Sequence, residues 1–477
     1  MQAGFFETDI TPPVGTEQAG GYGKMLVQSI HDPLKVQAAF FANDTVKVAL
    51  IGVDTCFIGF DIVEKVREQL RERCGIPAAN CIIGASHTHG GGAITGMVDV
   101  KSQDDIPDHI RHLLTRRSAF PDPDYREWVV KQIVTAAVNA DARKENARLN
   151  SGTGCETGMI FNRRFKMKNG RCCTHPGKVN PDIIEPAGGT DPEVGVIGAW
   201  RGDGSLIGCI VNYSCHGTCN NRGGVVSADW IHYLRKTIRA IMGDEAGVVF
   251  LNGACGDVTQ VNNLSASCDW GFPVAWKLGT RVGAEAVKAL LQAEPAEYHE
   301  LSGNSTVLEL KRRRPSPASV EKSWSVLNAN PDNSMDTEVL FAKERVLADF
   351  ICRREPVVKF SVNVVKIGNV AIFANPAEYF VGLGLKIKKL SPVKSTWIAS
   401  LANGSIGYIP DTADFASDGG GYETALTSYS NLEITAGEKI TEVGLKLLAA
   451  IKPEKIDTPP LPVGIPWEYG DLGPDSE

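Results

Sequence analysis

Apolar residues along this chain follow two rhythms. Short runs bounded by glycine and proline, alternating or continuously apolar, predict strands over 4–10, 36–42 and 46–53, the last ending at Asp54. A helical period follows over 61–74, where Ile62, Val63, Val66 and Leu70 share one stripe. It leads into the apolar run Cys81-Ile82-Ile83-Gly84-Ala85, so this stretch reads as a β-α-β unit. Residues 91–123 read as an irregular excursion of lid type that holds His109 and His112. A helix is expected over 124–142 with Trp128, Val129, Ile133 and Ala137 inward, then a strand over 150–157. A strand pair flanks the Gly202-Asp203-Gly204 turn, and its second member spans 206–213. Beyond it the pattern gives a helix over 228–242, a strand over 248–251, and helices over 275–291 and 320–353 around a strand near 305–310. A two-strand meander over 361–373 precedes a helix over 376–390 that carries Glu378 in its first turn. A glycine-rich loop over 407–421 ends at Tyr422, and 437–451 closes the pattern. The fold class is α/β, with mixed β-sheets flanked by helices in one large domain over 1–452. No internal repeat shows in the sequence, and a proline-rich tail occupies 453–477.

Composition narrows the partners. The chain has 477 residues, 43% hydrophobic and 22% charged, with a net charge of -7. That length can bury a large core, and that charge gives no electrostatic case for nucleic acid. The one dense basic run, Lys311-Arg312-Arg313-Arg314, reads as a solvated face. No apolar stretch approaches the roughly 20 residues needed to cross a bilayer, and the first residues lack a basic and apolar leader pattern, so a cytoplasmic protein is expected. The twelve cysteines are scattered, several inside strands, and read as mostly reduced and buried.

Chemistry concentrates at strand ends. The run from Cys81 stops at Ser86-His87-Thr88-His89-Gly90-Gly91-Gly92, and residues two apart in extended chain face one side, so His87 and His89 can share a small volume. A second apolar strand also stops in histidine and glycine, at Ser214-Cys215-His216-Gly217. A catalytic zinc takes three or four N, O or S ligands and keeps a place for water, and His87, His216 and a carboxylate meet that need. Other readings stand beside it. Cys215, His216 and Cys219, or Cys172, Cys173 and His175, could close a structural zinc site, although neither group has C-x-x-C spacing. Cys215 or Cys255 could serve a cysteine hydrolase as nucleophile. Gly90-Gly91-Gly92 lacks the Gly-Lys-Ser/Thr ending of a phosphate loop.

An ordered set of motifs then resembles one family. Asp9-Ile10-Thr11-Pro12-Pro13, His31-Asp32-Pro33-Leu34, Ala85-Ser86-His87-Thr88-His89-Gly90, Asp191-Pro192-Glu193-Val194-Gly195, Ser227-Ala228-Asp229 and Asn252-Gly253-Ala254-Cys255-Gly256-Asp257-Val258 resemble, in order, the catalytic domain of the neutral (non-lysosomal) ceramidases. The resemblance runs from residue 4 to about residue 450. It implies a zinc-dependent amidohydrolase with one zinc per chain, held by His87, His216, Glu378 in Asn-Pro-Ala-Glu and Tyr422 in Gly-Gly-Tyr-Glu. It further implies that His89 and Arg163 sit over the reacting carbonyl, and that Thr259 holds the place of a serine that touches substrate. The expected reaction is attack of zinc-activated water on an N-acyl compound, with an oxyanion stabilised by His89, Arg163 or Tyr422. Asp257 and Asp229 are expected to support the ligands, and Asp54 either to join them or to cap the helix that follows it. The C-terminal β domain that ceramidases add is not expected. The substrate is a small N-acyl molecule with a sphingolipid among the candidates, and a homo-oligomer is compatible with the chain. The alternatives are a zinc esterase or lactonase, an amino-sugar deacetylase, and a non-catalytic protein with a structural metal.

Overall fold

Three units built on one four-strand plan carry the chain, the first with a short fifth strand, Glu145–Asn146, at its edge. In the computed structural model, which describes residues 1–96, 106–220, 223–295, 298–330, 336–451, 464 and 474–475, the first unit holds β1 (Gln2–Asp9), β2 (Lys35–Ala42) and β3 (Lys47–Val53), then α1 (Phe60–Cys74) and β4 (Cys81–Ala85). Neighbours pair antiparallel until the last step, where β3 and β4 run parallel. After α2 (Asp108–Arg117) and α3 (Pro123–Ala142), the second unit repeats the order with β5 (Arg148–Cys155), β6 (Glu193–Trp200), β7 (Leu206–Tyr213), α4 (Trp230–Met242) and β8 (Gly247–Asn252). Helix α5 (Phe272–Gln292) follows. The third unit starts with β9 (Leu301–Lys311), inserts α6 (Pro317–Ala329) and α7 (Thr337–Arg354), and continues through β10 (Val357–Ile367) and β11 (Val370–Ala374). It ends with β12 (Ala377–Tyr379), α8 (Val381–Leu390) and β13 (Ser395–Ala399), parallel to β11. A short β14 (Gly407–Ile409) and α9 (Ala436–Ala449) follow, and shorter strands and 3-10 turns join these elements.

A parallel pair cannot be joined by a tight turn, so each unit places a helix between its third and fourth strands. The residues just past the third or fourth strand therefore gather at the carboxyl ends of strands, where α/β proteins put their chemistry. Strands β3, β4, β7 and β11 are buried along nearly their whole length, which explains their continuous apolar runs. Helix α1 buries Ile62, Val63, Val66 and Leu70 in the same core cluster as Ile51, Val53 and Ile83. Each such side chain contributes about 1.5–3 kcal/mol relative to exposure.

The structure departs from the sequence pattern in four places. The excursion over 91–123 contains α2, whose Ile110, Leu113 and Leu114 pack with Val339, Val346 and Leu347 of α7. Residues 97–105 of that stretch lie outside the described residues. The helix expected over 320–353 is two helices, because Pro331 disfavours helical backbone at Asn330, where φ is -125°. Trp128 faces outward at 37% exposure, while its neighbours Val129 and Ile133 are buried. Glu378 does not open a helix: Pro376 favours extended chain, and Glu378 pairs with Tyr408 across β12 and β14. Helix α8 starts only at Val381, whose N–H donates to Asp257 Oδ1 at 2.8 Å. Of the proline-rich tail over 453–477, all but residues 464 and 474–475 lies outside the described residues.

Candidate metal centre and its cavity

Each unit delivers one donor to a common point. His87 lies just past β4 with φ of 64°, a left-handed backbone that is costly for a residue with a Cβ and that marks functional sites. His216 lies just past β7, and Glu378 sits on β12 past β11. His87 Nδ1 donates to the Cys56 carbonyl at 2.8 Å, and His216 Nδ1 to the Val258 carbonyl at 3.1 Å. These bonds fix the tautomer and leave the lone pair on Nε2 of both rings. Glu378 Oε2 lies 3.2 Å from His87 Nε2 and 3.4 Å from His216 Nε2. The peptide around Gly256 admits this approach, since a Cβ there would meet the Glu378 carbonyl oxygen at 2.4 Å.

These atoms fit a zinc ion. Ligands held about 2.0–2.1 Å from a tetrahedral ion stand about 3.3 Å apart, the spacing of both imidazoles from the carboxylate. His87 Nε2 and Glu378 Oε2 are buried with no hydrogen-bond partner, so two unshared electron pairs face each other unless a cation lies between them. The electrostatics agree. Burial raises the Glu378 carboxyl, but His87 and His216 hold it well below the usual range. Burial, then Arg163 and His87, push the His216 imidazole well below its ordinary value, which keeps it neutral as a ligand must be. Burial works against a charge on His87, yet Cys56 and Glu378 raise it to about 10. The centre thus attracts positive charge, from a proton or a metal. Cys56, His87 and His89 form a second close group of donors, but the His87 nitrogen nearest the Cys56 thiol is Nδ1, already committed to the Cys56 carbonyl.

Arg163 packs against this centre. Its Nε donates to Glu423 Oε1 at 2.9 Å, its Nη2 to the Gly256 carbonyl at 2.7 Å, and its Nη1 lies 3.1 Å from His216 Nε2. Its guanidinium also stands over the rings of Tyr408 and Tyr422, at 5.5 and 5.2 Å. His89 donates from Nδ1 to the Gly20 carbonyl at 2.7 Å, and its Nε2 is unpartnered. Gly20 has φ of 92° and touches the His89 Cβ, a place where no side chain fits. Tyr422 lines the same cavity, its hydroxyl 3.2 Å from that of Tyr408. Thr259 is buried with its hydroxyl on Gln260 at 2.8 Å, and its neighbour Thr218 is the one on the cavity wall.

The supporting carboxylates differ in their work. Asp257 accepts from Asn162 at 2.7 Å and caps α8, and burial raises its carboxyl to about 6. Asp229 caps α4 through the Trp230 N–H, while Trp230 Nε1 holds the His216 carbonyl at 3.0 Å. Asp54 takes two bonds from Arg235, at 3.1 and 2.7 Å, and Gly59 rather than Asp54 stands at the start of α1. Burial pushes the Cys215 and Cys255 thiols well above their ordinary value, which removes both as nucleophiles. Among the described residues, neither cysteine-histidine pair noted in the sequence forms a group that could hold a metal.

His87 and Glu378 line a cavity of about 680 Å³, the size of a small-molecule site, with His216 buried behind them. Tyr22, Tyr408, Tyr422, Tyr429, Phe57 and Phe60 line it. Three lining residues gave no sequence signal: Tyr22, Tyr408 and Tyr429. His175, which the sequence offered only to a cysteine cluster, also lines the cavity, and its imidazole is lowered to about 4 by burial and Arg163. Glu423, beside Tyr422, was equally silent, although its carboxylate is fully buried against Arg163.

No family model matches the sequence, and no curated protein sequence does. Solved structures do share the architecture. The neutral ceramidase from Pseudomonas aeruginosa matches with a TM-score of 0.69 over 94% of this chain and 74% of its own, at 18% identity. A ceramidase complexed with C2 matches with a TM-score of 0.67 over 94% of this chain and 75% of its own, at 17% identity. At these identities the likeness is one of fold, and the chain has the fold of the neutral ceramidases.

Proposed function

We propose that the chain is a metal-dependent hydrolase that cleaves the amide bond of an N-acyl compound, with zinc held by His87, His216 and Glu378 and with Tyr422 completing the set. The observation that carries this reading is the convergence of oriented donors from three units, with two of the donor atoms, His87 Nε2 and Glu378 Oε2, left partnerless on residues that line an open cavity. A structural zinc is sealed off by its protein ligands, whereas a catalytic one keeps a side open to water or substrate, and His87, Glu378 and Tyr422 all face the cavity. The amide is favoured over an ester because the structural neighbours are ceramidases, and ceramide is an N-acyl compound.

Bound zinc supplies a Lewis acid and a water whose pKa is brought towards neutrality. The protein's own groups supply the rest. His89, anchored through Nδ1 and free at Nε2, accepts at Nε2 the proton given up by the attacking water and hands it to the departing nitrogen, which cannot leave as an anion. Arg163 Nη1 faces the lone pair of His216 Nε2. Once that lone pair serves a cation, Nη1 is released to donate to the negative charge growing on the substrate oxygen. Glu423 keeps the guanidinium aimed there. Burial holds the Tyr422 phenol well above its ordinary value, so it stays protonated and can add a second donor.

The test combines metal analysis with a panel of N-acyl amides, esters and N-acetyl amino sugars. One zinc per chain is expected, lost in His87→Ala and in His216→Ala, with amide hydrolysis abolished by a chelator and restored by zinc. Full zinc occupancy in both variants, or a zinc-loaded chain inert on the whole panel, overturns the proposal.

A further inference from the structure

Four tyrosines line the cavity in a closed ring. Tyr22 meets Tyr422 edge to face at 6.2 Å, Tyr422 meets Tyr408 at 5.6 Å, Tyr408 meets Tyr429 at 6.0 Å, and Tyr429 returns to Tyr22 at 6.2 Å. Such contacts add to the apolar area each ring covers, and their order depends on the backbone beneath. Two of the four stand on weak ground. Tyr22 sits between Gly20, Gly21 and Gly23 in a segment outside any strand or helix, and Tyr429 follows Ser428 in another.

Both segments are gripped from behind by consecutive residues of α7. Lys343 Nζ donates to the Tyr22 carbonyl at 2.7 Å, to the Arg117 carbonyl at 3.0 Å and to Ser118 Oγ at 3.2 Å, which uses all three of its protons. Glu344 Oε2 accepts from the Ser428 hydroxyl, and Glu344 Oε1 lies 2.9 Å from Lys343 Nζ. Both side chains are 2% exposed. A charge pair buried this deeply costs desolvation that its mutual attraction barely offsets, so packing alone does not call for it. Helix α7 is already packed through Val339, Ala342, Val346 and Leu347, which share one core cluster with Ile110 and Leu327. What the pair adds is a fixed position for two loops relative to a rigid helix.

We propose that Lys343 and Glu344 are positioning residues that hold the tyrosine ring in register over Arg163, and so set which N-acyl chains the cavity accepts. The ring gives an apolar chain four aromatic surfaces, with Phe57 and Phe60 also in the lining. The substrate half of this proposal rests on the hydrolase reading. The positioning half does not.

The experiment uses the full chain with Lys343→Met and Glu344→Leu together, so that no lone charge is left buried. Fluorine NMR of chain labelled with meta-fluorotyrosine reads all ten tyrosines, with assignments from Tyr22→Phe, Tyr408→Phe, Tyr422→Phe and Tyr429→Phe. The four ring resonances should shift or broaden while the other six and the zinc content stay put. Ring resonances unchanged from wild type, or all ten disturbed alike, overturn the positioning role. On butanoyl, octanoyl and dodecanoyl p-nitroanilides, KM for the longest chain should rise about tenfold with kcat held within about threefold. A fall in kcat with KM unchanged overturns the substrate half. A wild-type chain inert on all three defeats the hydrolase reading and the substrate half with it, while the fluorine spectra still decide the positioning half.

Discussion

Replacing Glu378 with glutamine removes one charge and almost no volume, and it isolates the electrostatics of the metal centre. The carboxylate is 12% exposed, and its Oε2 lies 3.2 and 3.4 Å from two imidazole nitrogens. Stripping a buried cation of its counter-charge costs about 3–5 kcal/mol. The metal-free protein loses something too, since the proton on His87 has the same partner, but an ion of two charges loses twice the attraction of one. A net penalty of about 3–5 kcal/mol therefore remains, which is roughly 150-fold to 5,000-fold in the zinc Kd. Titration against a fluorescent zinc chelator measures that ratio directly, with the variant's thermal unfolding as a check on folding. A Kd within about threefold of wild type, in a folded variant, would refute the assignment of Glu378 as a ligand.

Two further outcomes follow from the same geometry. His87 is raised from 6.5 to about 10, so below that pH the metal-free protein carries a proton that zinc must displace. Calorimetry at pH 7 in buffers of different ionisation enthalpy should show about one proton released per zinc, and no buffer dependence would contradict it. Because the folded pKa is the higher one, the metal-free chain should also lose stability as pH climbs from 6.5 through about 10. His89→Ala should keep its zinc and lose turnover by about 10²-fold or more, as expected of a proton carrier; wild-type turnover would return His89 to the scaffold.

Much of this was legible in the sequence wherever the signal was local. The strand over 206–213 and the histidine past its end were readable because a buried strand is an unbroken apolar run with an abrupt polar stop. The helix of the first β-α-β unit was readable from its stripe. What stayed hidden depends on distant partners. Glu378 was placed in a helix because its extended conformation is set by pairing with Tyr408, thirty residues on. Glu423 gave no signal because its partner Arg163 is 260 residues away. The threefold plan left no sequence repeat, since each unit must reproduce only burial and turning, which many side chains satisfy. Helix α2 was missed because three apolar residues in a charged stretch acquire meaning only against α7.

The most direct measurement is anomalous X-ray scattering at the zinc edge from crystals of the zinc-loaded chain. One strong peak should lie about 2.0–2.2 Å from His87 Nε2, His216 Nε2 and Glu378 Oε2. A peak instead beside Cys56 and His89, or none between the three donors, would contradict the metal centre described above and the hydrolysis built on it.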